Sequence, residues 1–193
     1  MDSKKIIISG INNKYQIKKL TQERKEEKQR SITQNWNISD IYYEFLNQLE
    51  IIKNIQIIFN NKEEYSDFHR IFIQELERKI YNYRQQDLIK SILNPEKFIK
   101  FIDIINKLNE CKLNCYYCNS DMFILYKNVR DPKQWTVDRI NNSNGHNIDN
   151  IVLSCLECNL KRKNKNKDSF LFTKQLKIVR NNFNENVDVN NIV

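Results

Sequence analysis

Two matched cysteine pairs, Cys115-Tyr-Tyr-Cys118 and Cys155-Leu-Glu-Cys158, constrain this chain more than any other feature. A C-x2-C turn lets both thiolates reach one tetrahedral metal ion, and two such turns complete a four-sulfur site. Free cysteines are commonly just small buried hydrophobes, but two knuckles of identical spacing argue for a ligand set. A site closed by four sulfurs keeps no open coordination position, so the zinc it implies is structural, and its binding contributes directly to folding. Cys111 forms a C-x3-C with Cys115 and is in principle a competing ligand. Because the 115/118 pair mirrors the 155/158 pair, Cys111 reads as a spectator at the end of the preceding helix.

With 193 residues the chain is long enough for one substantial domain or two small ones. Apolar runs such as Ile57 to Phe59 are broken by polar residues long before they reach a membrane span. The start, MDSKKIIISG, has no secretory pattern, so the expectation is an intracellular protein, where disulfides are disfavoured and clustered cysteines bind metal. A net charge of +8 and a pI near 9.2 favour an acidic partner, nucleic acid being the usual one. The basic residues concentrate late: Lys161, Arg162, Lys163, Lys165, Lys167, Lys174, Lys177 and Arg180 are opposed there only by Asp168.

The expected fold class is α+β. Residues 1–36 are charged and poor in apolar positions, and read as a flexible arm. Residues 37–110 read as a helical domain: Ser39 and Asp40 can cap a helix opening at Ile41, Phe68, Phe72, Leu76 and Ile80 share one face, and a helix from Pro95 carries Phe98, Ile102, Ile105 and Leu108 inward. Residues 111–167 change character, with strand-like runs at Met122–Tyr126, Gln134–Ile140 and Asn150–Ser154 and a helix from about Leu156. Residues 168–193 read as a helix from Ser169 to about Asn181 and a polar tail.

The segment QWTVDRINNSNGHNIDNIVLSCLECNLKRK, residues 134–163, resembles the HNH, or ββα-metal, endonucleases. The likeness is to the zinc-bearing branch with two C-x2-C knuckles on a treble-clef frame, including phage endonuclease VII-like recombination nucleases and members with an Asp-Arg-Ile strand end. It covers about residues 111–165. What the resemblance implies is hydrolysis of DNA phosphodiester bonds, with Asp138 and Asn159 as ligands of a catalytic Mg²⁺ or Mn²⁺ and Asn150 bracing the loop before the second strand. An ion held by one carboxylate and one amide keeps open positions for a scissile phosphate, stabilises the departing oxygen and leaves an in-line water to be activated.

The family's usual general base is a histidine after the aspartate. Here that position is Arg139, which cannot take a proton at neutral pH but suits bidentate binding of a phosphate. Of the two histidines, His69 falls on a helix with no other motif residue. His146, next to Gly145 in the loop, is the candidate base. Lys161, Arg162, Lys163, Lys165 and Lys167 would extend the grip on phosphates. Trp135, Tyr116 and Tyr117 suit packing around the metal better than base stacking.

Three functions are open at this point. One is a metal-dependent endonuclease on duplex or branched DNA. Another is a non-catalytic zinc module that binds nucleic acid, motivated by Arg139. The last is a protein-interaction zinc domain. The helical residues 37–110 are either a specificity region or a homodimer surface, and no membrane association is expected.

Overall fold

The computed structural model describes residues 9–21, 27–60 and 66–176. In chain order the elements are α1 (Ile11–Thr21), α2 (Phe45–Asn60), α3 (Asp67–Ile89), α4 (Phe101–Glu110), β1 (Trp135–Arg139), β2 (Ile151–Cys155), α5 (Leu156–Arg162) and α6 (Lys167–Gln175). The strands form one antiparallel pair in which Trp135 faces Cys155, Asp138 faces Val152 and Arg139 faces Ile151. The architecture is therefore α+β, with helices first and a small sheet late. Lys177, Arg180, the polar tail and the residues after Leu176 of the expected C-terminal helix lie outside the described residues, as do residues 1–8 and 22–26.

Several expected elements shift, each for a visible reason. The helix expected at Ile41 starts at Phe45, after a 3-10 turn over Asp40–Tyr43. Ser39 makes no capping bond; instead Asn47 Nδ2 donates to the Ile41 carbonyl (2.8 Å) and Gln48 Nε2 to that of Tyr42 (3.1 Å), holding the turn apart from the helix. In α3 the expected face is buried at Phe68, Phe72 and Leu76, with Ile80 packing at its edge. The helix expected from Pro95 begins at Phe101, and Ile104 takes the inward place expected for Ile102, which is 46% exposed. Asn94 Oδ1 accepts from the Glu96 and Lys97 amides, closing a turn, and Ile99 N–H then donates to the His146 carbonyl (3.0 Å), drawing residues 97–99 out of helix.

Met122–Tyr126 is not a strand. Gln48 takes the backbone groups that a neighbouring strand would take: its Oε1 accepts from the Ile124 and Leu125 amides (2.8 and 3.1 Å), and its Nε2 donates to the Leu125 carbonyl (3.0 Å). The expected flexible arm is docked over residues 27–36. Arg30 is buried, donating to Glu75 (2.7 Å) and the Tyr126 carbonyl (3.1 Å) and lying over the Tyr126 ring at 4.2 Å.

One core runs through all of this, from Ile52, Phe72 and Leu76 through Ile105 and Leu108 to Leu113, Trp135, Leu153 and Phe170. Helices α2, α3, α4 and α6 thus share one core with the sheet and the cysteine knuckles. Among the described residues no helix is long and apolar enough to cross a membrane.

Candidate functional site

Both knuckles sit at the end of the sheet. The first is docked by the Tyr116 amide, which donates to the Leu153 carbonyl (3.0 Å), and is closed by Cys115 N–H on the Ser120 carbonyl (2.9 Å). The second places Cys155 at the end of β2 as the N-cap of α5, its sulfur accepting from the Cys158 amide (3.5 Å). The ligand atoms of Cys115, Cys118, Cys155 and Cys158 all lie within 4.8 Å of one another, positioned to hold a metal ion. Hydrogen bonding from Cys155 holds the Cys115 thiol down at about 5 and pushes Cys155 up, while burial pushes Cys158 up to about 12. Thiols this close cannot all ionise without a cation, so the donor chemistry fits a thiophilic divalent ion such as zinc. Cys111 is the C-cap of α4, its thiol donating to the Leu108 carbonyl (3.5 Å), and is not part of the cluster.

On one flank of the sheet lies a cleft of about 490 Å³. The module lines it with Asp138, Arg139, Asn142, His146, Asn159 and Lys163, and α3 lines it with Lys79, Tyr83 and Gln86. Five of the residues named from the sequence, Asp138, Arg139, His146, Asn159 and Lys163, are therefore brought to one cavity. Asn150 stays behind it: its Oδ1 accepts from the Asn141 amide (2.9 Å), and its Nδ2 donates to the carbonyls of Asn141 and Gly145 (3.0 Å each), tying the loop shut.

Asp138 is 4% exposed and firmly held. Arg162 donates to both of its oxygens, through Nε to Oδ2 and through Nη2 to Oδ1 (2.7 Å), and the Tyr117 hydroxyl donates to Oδ2 (2.7 Å). This corrects the reading of Arg162 as a surface phosphate contact: it is 1% exposed and neutralises Asp138. The seven-residue helix α5, capped by Cys155 and running from Leu156, ends with position 162 turned inward, towards β1. Tyr117, buried beside the four cysteines, keeps its proton, because burial and the bond to Asp138 both raise its pKa.

His146 is buried, at 3% exposure. Its backbone amide donates to Asp87 Oδ2 (2.6 Å), its Nδ1 pairs with Asp87 Oδ1 (2.8 Å), and the Tyr83 ring lies 4.6 Å from its own. Among the described residues Nε2 has no hydrogen-bond partner, and His146 lines the cleft. Burial lowers the His146 pKa below its usual value, with Arg139 and Lys90 adding to the effect and Asp87 opposing it. The loop approaches α3 so closely that a Cβ on Gly145 would fall 2.7 Å from the Ile92 carbonyl oxygen and 2.8 Å from Asp87 Oδ2. Only glycine leaves that space.

Arg139 is mostly enclosed, its side chain 11% exposed, donating to the Asn144 carbonyl (3.1 Å) and lying 4.0 Å from Asp87 Oδ1. Lys161 pairs with Glu157 on the surface, Lys163 is exposed on the cleft rim, Lys165 lies over Phe170, and Lys167 lies over Tyr116 and beside Asp168. Lys79 donates to Gln134 Oε1 (3.1 Å) and to the Trp135 carbonyl, below the rings of Tyr126 and Trp135. Trp135 and Tyr117 are fully buried packing residues. Sequence reasoning missed Lys79, Tyr83 and Asp87 outright, since their α3 pattern carries no motif, and missed the role of Tyr117 although it sits inside the first knuckle.

The cleft leaves few oxygen donors free for a divalent ion. Of the roughly four lone pairs a carboxylate offers, Asp138 has three engaged by Arg162 and Tyr117. Asn159 donates through Nδ2 to Thr136 Oγ1 (3.1 Å) and the Val137 carbonyl (3.3 Å), and its Oδ1 has no hydrogen-bond partner among the described residues. One carboxylate oxygen and one amide oxygen suit a magnesium-like ion that keeps its waters and leans on substrate phosphate. Compared with protein-family models, with curated proteins and with solved structures, the chain matches none.

Proposed function

We propose that the chain is a DNA endonuclease of the HNH, ββα-metal type, with a structural zinc in the four-cysteine site. The observation that carries this is His146: a buried, neutral imidazole whose Nδ1 is engaged and whose remaining nitrogen serves a cleft that also holds Asp138, Asn159, Arg139 and Lys163. In this reading His146 Nε2 takes the proton of an attacking water, and the departing oxygen is protonated from solvent. Lys163 on the rim and Arg139 on the wall attract the phosphate. Asp138 and Asn159 would hold a Mg²⁺ or Mn²⁺ ion, which polarises the phosphate when bound. Lys161, Lys165 and Lys167 extend the basic surface for the flanking strand.

The test is cleavage of supercoiled, linear and branched DNA with Mg²⁺ or Mn²⁺, against Asp138→Asn, His146→Ala and Asn159→Ala. No turnover on any substrate, or turnover indifferent to all three changes, sinks the reading. The Asp138–Arg162 pair favours a second reading, a nucleic-acid-binding module without turnover, because it consumes the charge a catalytic ion needs. That reading expects salt-sensitive DNA binding that survives EDTA at levels sparing the zinc, with no nicks.

A further inference from the structure

Asp87 is a fully buried acid at the C-terminal end of α3, far in sequence from every motif residue. Its carboxylate meets the His146 amide (2.6 Å), the His146 ring (2.8 Å) and, at 4.0 Å, the edge of Arg139. A buried carboxylate is costly unless it is well paired, and the side chain nearest it here is an imidazole that burial keeps neutral, the Arg139 guanidinium lying farther off. Packing alone would be served more cheaply by an amide or an apolar side chain. A carboxylate becomes useful at the moment the imidazole gains a proton.

We infer that Asp87 is a positioning residue for His146, so that the helical region takes part in building the active site. This rests on the nuclease reading. Both carboxylate oxygens can only accept, so the ring must present N–H at Nδ1, and Nε2 carries the lone pair that faces the cleft. When Nε2 accepts the proton of the attacking water, the imidazolium lies 2.8 Å from Asp87 Oδ1, and the new charge is balanced inside the protein. Gly145 belongs to the same device, because any side chain there would collide with Asp87 Oδ2.

Asp87→Asn separates this role from simple packing. The isosteric amide must keep its oxygen on the His146 backbone N–H, which turns its NH₂ toward Nδ1 and forces the ring proton onto Nε2. The expected result is a cleavage rate lowered by about 10²- to 10⁴-fold at nearly unchanged KM. The acidic limb of the rate profile should also move to lower pH, since Asp87 raises the His146 pKa. Histidine ¹⁵N spectra of the full chain give a readout free of activity: the bare ring nitrogen should be Nε2 in the wild type and Nδ1 in the variant. The wild-type spectrum needs no variant to fold. A wild-type bare nitrogen at Nδ1, or an Asp87→Asn protein with full rate and unchanged tautomer, overturns the inference. A wild type that cleaves while His146→Ala is fully active overturns the histidine's catalytic role with it, and a wild type that cleaves no substrate although its ring carries the proton on Nδ1 overturns the nuclease reading itself.

Discussion

The four-cysteine cluster and the cleft beside it are built in opposite ways. The cluster is assembled from two short turns, each of which brings its own pair of sulfurs together, and the sheet has only to bring the turns within 4.8 Å. The cleft draws on β1, the loop after it, α5 and the distant helix α3, and none of these carries a complete piece of it. The cluster should therefore fail as a unit when one ligand is lost, whereas the cleft should fail in separable parts.

The largest effect is expected from Cys158→Ser or strong chelation. Either should abolish tight metal binding and cooperative melting of the region around the sheet, because a structural zinc site contributes on the order of 10 kcal/mol to folding. Metal analysis and calorimetry check it, and a Cys158→Ser protein that melts like the wild type would break the cluster half of the comparison. Next is Arg162→Ala, which leaves the buried Asp138 carboxylate uncompensated and should cost about 3–5 kcal/mol in denaturant unfolding while metal content stays at one per chain. His146→Ala should lower cleavage by about 10²-fold or more with zinc retained, the cleanest separation of the two sites.

Smaller effects sharpen the picture. Burial lowers the folded-state pKa of His146 below its unfolded value near 6.5, so the unfolded chain binds the proton first. Stability should be intact above that value and fall as pH drops toward the folded pKa. The groups facing the ring are Asp87, Tyr83, Arg139 and Lys90, and His146→Gln should flatten that part of the pH–stability curve. Lys161→Ala should change stability by less than about 1 kcal/mol, since its partner Glu157 is equally exposed.

The cysteine spacing, the strands flanking the polar turn and the helix after Cys155 were all legible, because each rests on contacts within a few residues. Asp138 and Asn159 were legible as cleft residues only through a resemblance, and Asp138's partner was not. Arg162 reads as one more surface cation in a basic run, and nothing local distinguishes it from Lys161 beside it. The expected strand at Met122–Tyr126 failed for the same reason, since Gln48, remote in sequence, satisfies its backbone.

By itself the sequence determined that four sulfurs would meet, because a C-x2-C turn sets its own geometry. Which charges would be buried, and against what, was decided by the tertiary structure. The pairing of Asp138 with Arg162 and of His146 with Asp87 depends on α5 and α3 packing against one sheet. Desolvation is a property of the assembled core, and only there does a loop histidine next to a glycine become a neutral imidazole held by a carboxylate.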